Sequence, residues 1–185
     1  MKRILISIVV MSLLSLAAIS HSGDIPDGFI GLKWGHSLEK MKEEQLLYSV
    51  KAIDKNPDRV IALINLKKFN PFPDLKIGTI GLNFYKDKLY GGIVYVTAYK
   101  DWNLLSKTLK EKYGDPSIED MKNVYGKSIG TTLKWDFGTG VGRVASSFNQ
   151  LKNEGKIHYF FPPKELMDEL SSQEEKDQSK VKDKL

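Results

Sequence analysis

Ser128-Ile129-Gly130-Thr131-Thr132-Leu133-Lys134-Trp135-Asp136-Phe137 is the stretch on which the fold turns. Ile129, Thr131, Leu133, Trp135 and Phe137 alternate without error against Ser128, Gly130, Thr132, Lys134 and Asp136. Successive side chains of a strand point to opposite faces, so a period of two means a strand buried on one face. Downstream, Gly138-Thr139-Gly140 supplies a turn, and Val144, Ser146 and Phe148 continue the pattern. A polar loop at Asn153-Glu154-Gly155 then leads to Ile157, Tyr159 and Phe161, which are closed off by Pro162 and Pro163. Connections this short predict an antiparallel meander, because parallel neighbours need a long crossover.

Upstream of this stretch the period changes. Trp102, Leu105, Leu109 and Tyr113 fall on one helical stripe that Asp101 would cap, Gly114 would stop and Pro116 would keep from resuming. Before it, Ile80, Leu82 and Phe84 alternate with Gly81, Asn83 and Tyr85, and residues 89–99 are rich in β-formers. The two runs flank Lys86-Asp87-Lys88 and read as a hairpin. Residues 46–66 read as two strands joined at Asn56-Pro57-Asp58, a strong turn signal, and Pro71 and Pro73 break the chain after them. Ser37 is the predicted N-cap of a short helix carrying Leu38 and Met41, and Pro163 opens another short one with Leu166, Met167 and Leu170. The expected fold is α+β: an antiparallel meander sheet of about six or seven strands with helices on one face. One helix followed by several strands occurs twice, which admits a pseudo-duplicated sheet.

The ends and the totals bound the rest. Met1-Lys2-Arg3 precedes an apolar run over residues 4–19, with Ala18 and Ser20 placed for a cut before His21. This reads as a bacterial signal peptide over residues 1–20, so the expected location is periplasmic or secreted. The run is shorter than the roughly 20 residues that cross a bilayer, so no membrane span is expected after cleavage. A single domain is expected over residues 21–170, and residues 171–185, with Val181 and Leu185 as their apolar side chains, read as a disordered polar tail. The chain has no cysteine, which removes thiolate metal sites and cysteine nucleophiles. Its net charge of +5 falls to +3 without Lys2 and Arg3, and lysines are interleaved with acids. Nucleic-acid binders carry a concentrated basic stripe, so no nucleic-acid partner is expected.

Gly31-Leu32-Lys33-Trp34-Gly35-His36-Ser37, with Tyr113-Gly114-Asp115-Pro116 far downstream and Leu133-Lys134-Trp135 beyond it, resembles a group of exported bacterial proteins of unknown function. They share the Gly-x-x-Trp-Gly-x-Ser start and the Tyr-Gly-x-Pro helix exit. The resemblance implies fold kinship and an envelope location, and it carries over no catalytic residues.

Gly126-Lys127-Ser128-Ile129-Gly130 matches the G-x-S-x-G pattern of serine hydrolases, and Asp136 and His158 follow in the matching order. That chemistry needs a strained strand-to-helix turn to expose the serine, whereas Ser128 here enters an alternating strand. Ser128, Asp136 and His158 are therefore the alternative reading. His36 and His158 lack paired metal-ligand spacing, so neither a metal nor a cofactor is expected. The remaining feature is a set of aromatic residues: Tyr85, Tyr90, Tyr95 and Tyr99 crowd one hairpin. Tyr85, Tyr95, Tyr99 and His158 are the expected partner face, since rings with polar tips suit interfaces. The functional expectation is a non-enzymatic binding module for a protein, peptide or envelope component. The second alternative is an anchored envelope structural protein that keeps its signal segment.

Overall fold

The computed structural model describes residues 24–138 and 140–182. The expected signal peptide lies outside the described residues. The elements run β1 (Gly28–Phe29), β2 (Leu32–Lys33), α1 (Leu38–Glu43), β3 (Leu47–Ile53), β4 (Asn56–Ile64), β5 (Ile77–Tyr85) and β6 (Lys88–Val96). They continue with α2 (Tyr99–Tyr113), β7 (Ser117–Lys122), β8 (Ser128–Asp136), β9 (Arg143–Asn149), β10 (Glu154–Phe160) and α3 (Lys164–Lys182). β1 and β2 pair with each other, and the other eight strands form one antiparallel sheet in the order β3-β4-β5-β6-β10-β9-β8-β7.

The fold is thus mostly β, an α+β arrangement with eight strands in the main sheet rather than six or seven. The unexpected strand is β7, at an edge, where Ser117-Ile118-Glu119-Asp120-Met121-Lys122 has little burial and no useful alternation. The element order repeats: a helix and a four-strand meander (α1, β3 to β6) precede a helix and a four-strand meander (α2, β7 to β10). The halves meet where β6 pairs with β10, Val94 opposite Ile157 and Ile93 opposite His158.

One face of the sheet carries the main core. Ile64, Ile80, Leu82, Val94, Val96 and Phe148 are buried there against Phe29, Leu38, Met41 and Trp102, so the β1–β2 hairpin, α1 and α2 all lie on this side. Next to them, Leu109 and Tyr113 of α2 pack with Trp135, Val144, Ile157 and Phe161. The two tryptophans of the resemblance act in packing. Trp34 stacks on Phe161, and Trp135 donates its indole N–H to the Gly114 carbonyl at the exit of α2, 2.8 Å away.

Helix starts and turns only partly follow the sequence reading. Ser37 does cap α1, accepting from the Lys40 amide, and Asp87 of the β5–β6 turn joins the cap. Its carboxylate accepts from the Ser37 hydroxyl at 2.7 Å and from the Glu39 amide at 2.9 Å. Asp101, by contrast, is not the cap of α2. Ala98 holds that position, and the buried Asp101 carboxylate accepts the Lys76 amide across to the strand layer. The β3–β4 turn is made by Asp54 and Lys55, both at positive φ as a tight hairpin turn requires, and Asn56-Pro57-Asp58 belongs to β4 beside a register shift.

The helices are not confined to one face. Leu166 of α3 packs with Tyr85 and Tyr90, with Phe160 and Leu170 alongside, on the opposite side of the sheet. The helix is also longer than expected, reaching Lys182 through the stretch read as a polar tail. Its side chains over residues 171–175 are all exposed, in keeping with the composition that argued against burial there.

Candidate functional site

Cross-strand register fixes what the second face carries, because residues paired across antiparallel strands share a side. One row reads Ser49, Leu63, Gly81, Ile93, His158, Ala145, Lys134 and Ser117 from edge to edge. The row on one side of it holds Thr79, Tyr95, Lys156, Ser147, Thr132 and Glu119, and the row on the other includes Ile61, Asn83, Gly91, Phe160, Arg143 and Asp136. Among the described residues, α3 is the element that lies on this side, at the Tyr85 and Tyr90 end. No other described element covers the three rows.

The centre of this face is apolar and aromatic. Ile61, Leu63 and Ile93 surround Gly81 and, like Tyr95, His158 and Phe160, are half-buried. Tyr95 lies opposite Lys156 and diagonal to His158, within reach of a long side chain. His158 contacts the Phe160 ring at 6.1 Å, and the Arg143 guanidinium sits 5.7 Å from the centroid of the same ring. Burial lowers the His158 pKa, and the charges of Arg143 and Lys156 lower it further. At neutral pH the imidazole is therefore uncharged, and the field around it is positive.

The four residues expected to form one partner face divide among three places. Tyr95 and His158 come together on the free face. Tyr85 points to the same side but is only 5% exposed beneath α3, its hydroxyl donating to Glu169 at 3.2 Å. Tyr99 sits on the helix-covered side at the start of α2, 55% exposed and edge-on to Phe148. The aliphatic members Ile61, Leu63 and Ile93 were not singled out from the sequence. Their signal was available in the unbroken apolar runs of β4 and β6, which mark strands with apolar residues on both faces.

Ser128, Asp136 and His158 do not converge. Ser128 opens β8 and Asp136 ends it, which separates them by about 27 Å at the usual strand rise of about 3.4 Å per residue. No helix follows Ser128, and His158 is two strands away on β10, level with Lys134. Among the described residues no three acids or histidines cluster so as to hold a metal ion, and no helix is long and apolar enough to cross a membrane. Comparison with protein-family models, with curated proteins and with solved structures gives no match.

Proposed function

We propose that the protein is an exported, non-enzymatic binding module that docks a folded envelope protein on the free face of its sheet. The observation that carries this reading is the uncovered, half-buried apolar patch around Tyr95 and His158, on the side opposite α1 and α2. Eight strands at a spacing of about 4.8 Å and three residue rows give about 700 Å². That is close to the roughly 800 Å² each partner contributes to a stable complex. Arg143 and Lys156 flank the centre, so the complementary surface is apolar with an acidic rim.

The test is site-specific photo-crosslinking in the intact envelope, with a benzophenone side chain at position 95 and, as a control on the other side of the molecule, at position 99. A discrete protein adduct from position 95, absent from 99 and weakened by Lys156→Glu, supports the reading. Equal adducts from both positions, no adduct, an adduct of twice the protein's own mass, or a polymer smear refutes it.

A further inference from the structure

The helix-covered side of the sheet is not filled. Between the sheet and α2 lies a cavity of about 230 Å³ whose floor includes Val94 and Ile157, whose helix wall includes Leu105 and Leu109, and which Phe29 and Phe72 help to enclose. Protein interiors pack as densely as organic crystals, so an apolar recess of this size between layers leaves room for the apolar part of a ligand. It is also not sealed. Thr108 and Lys112, both exposed on the outer side of α2, line its rim.

The polar groups define the chemistry of that ligand. Tyr159, which also lines the space, has its pKa raised chiefly by burial, with Tyr113 nearby adding to the effect. It remains a neutral phenol, so it offers a ligand no charge. Lys112 differs: its ammonium group lies 5.1 Å from the Tyr113 ring centroid, and among the described residues it forms no ion pair. The site therefore combines an apolar interior with one cation at the mouth.

We infer that this cavity takes the hydrocarbon tail of a medium-chain carboxylate, with the carboxylate held at Lys112. A dry cavity of about 150 Å³ accepts the six carbons of benzene, so 230 Å³ corresponds to a chain of about eight to ten carbons. The tail lies on the far side of the sheet from Tyr95 and His158, so this site is independent of the proposed docking face.

The experiment is a methyl NMR titration of the full protein with decanoate, with decanol and decyltrimethylammonium as comparison ligands. Decanoate is expected to shift the methyl signals of Val94, Leu105, Leu109 and Ile157 saturably. Thr108→Trp fills the mouth and abolishes the shifts. Lys112→Glu weakens decanoate about tenfold or more, the loss of one charge-assisted contact, while decanol is affected little. Both substitutions are on the exposed side of α2, and an unchanged far-ultraviolet circular dichroism spectrum verifies that the fold is kept. Three results overturn the inference: shifts that fall instead on Ile61, Leu63 and Ile93, decanoate binding unaffected by Thr108→Trp, or decyltrimethylammonium binding as well as decanoate.

Discussion

Gly92→Ala tests the packing that holds the β1–β2 hairpin to the sheet. A Cβ at position 92 would stand 2.2 Å from Cδ1 and Cε1 of Phe29 and 2.9 Å from Cζ. Carbon atoms in contact prefer about 3.5 to 4.0 Å, so the ring would have to retreat by about 1.5 Å. It has little room to do so: Phe29 is 2% exposed and its ring leans on Tyr159 with centroids 5.1 Å apart. Overpacking of this kind costs about 1 to 3 kcal/mol. Truncation of the ring itself, Phe29→Ala, costs about 3 to 5 kcal/mol. In the Phe29→Ala background the added methyl meets no ring, so the double substitution should be cheaper than the sum of the singles by about 1 kcal/mol or more. Urea unfolding followed by tryptophan fluorescence reads both effects. With a slope of about 2 kcal/mol per molar, a loss of about 2 kcal/mol lowers the midpoint by about 1 M. A Gly92→Ala protein within about 0.5 kcal/mol of the parent, or one equally destabilised with and without the Phe29 ring, would refute the argument.

Three further predictions concern the caps and the free face. The Asp87 pKa is lowered: burial works against ionisation, but hydrogen bonds from Ser37 and from the Glu39 and Leu38 amides, with Lys42 nearby, outweigh it. Its contribution to stability is present above the unfolded value of about 3.9 and is lost as pH falls through the lower folded value, so Asp87→Asn should flatten the acid limb of a stability–pH curve below about pH 4. An unchanged acid limb would count against the cap. His158 also has a lowered pKa, but it is a base, so the unfolded chain takes up its proton first. Stability is full above about pH 6.5 and declines as pH falls through the folded pKa, and His158→Gln should remove that decline, which chemical denaturation from pH 7.5 to 5 would detect. Leu166 is fully buried against Tyr85 and Tyr90, so Leu166→Ala should cost about 2 to 5 kcal/mol of α3 docking. Limited trypsin digestion should then cut within α3 while the sheet is retained, and an unaltered digestion pattern would show that α3 is held by other means.

What could be read from the sequence depended on how many sides of each element meet water. β8 has one buried face, and its alternation places Leu133 and Trp135 inward and Lys134 on the free side, as the helix stripe of α2 places Trp102, Leu109 and Tyr113. Gly114, at φ 82°, ends that helix where its position in the sequence says it should. β7 is an edge strand with Ile118 out in solvent, so no inside–outside pattern exists to be read. The β3–β4 turn went to the wrong residues because Asn-Pro-Asp is the stronger local signal. The chain instead turns at Asp54 and Lys55 and takes up Pro57 beside a register shift. Tyr85 and Tyr95 share a side of the sheet, but strand periodicity says nothing of where a later helix lands, and α3 lands on Tyr85 alone. Tyr99 is adjacent in sequence to the hairpin yet belongs to α2, whose first turn lies on the other layer.

Both proposed sites depend on the same two strands. Along β6, Val94 faces the cavity while Ile93 and Tyr95 face the opposite side, and along β10 Ile157 and Tyr159 face the cavity while Lys156 and His158 do not. A strand presents alternate residues to opposite sides, so a slip of one residue by either β6 or β10 would send that strand's cavity residues to the free face and its free-face residues to the cavity. The register is held from both ends of the pair. Gly155 lies directly under Trp102, where a Cβ would be 2.7 Å from the indole, and Gly92 lies directly under Phe29. These two glycines let aromatic side chains from the covering layer rest against the backbone at the seam of the two halves. A slip of β10 would move a side chain under Trp102, and a slip of β6 would move one under Phe29. The packing that fixes the seam therefore also determines which residues reach the cavity and which reach the free face. Substitutions at Ile93, Tyr95 or His158 should leave decanoate binding intact, and Thr108→Trp should leave crosslinking from position 95 intact. The two proposals can then fail separately, and failure of both in one variant would indicate loss of the seam itself.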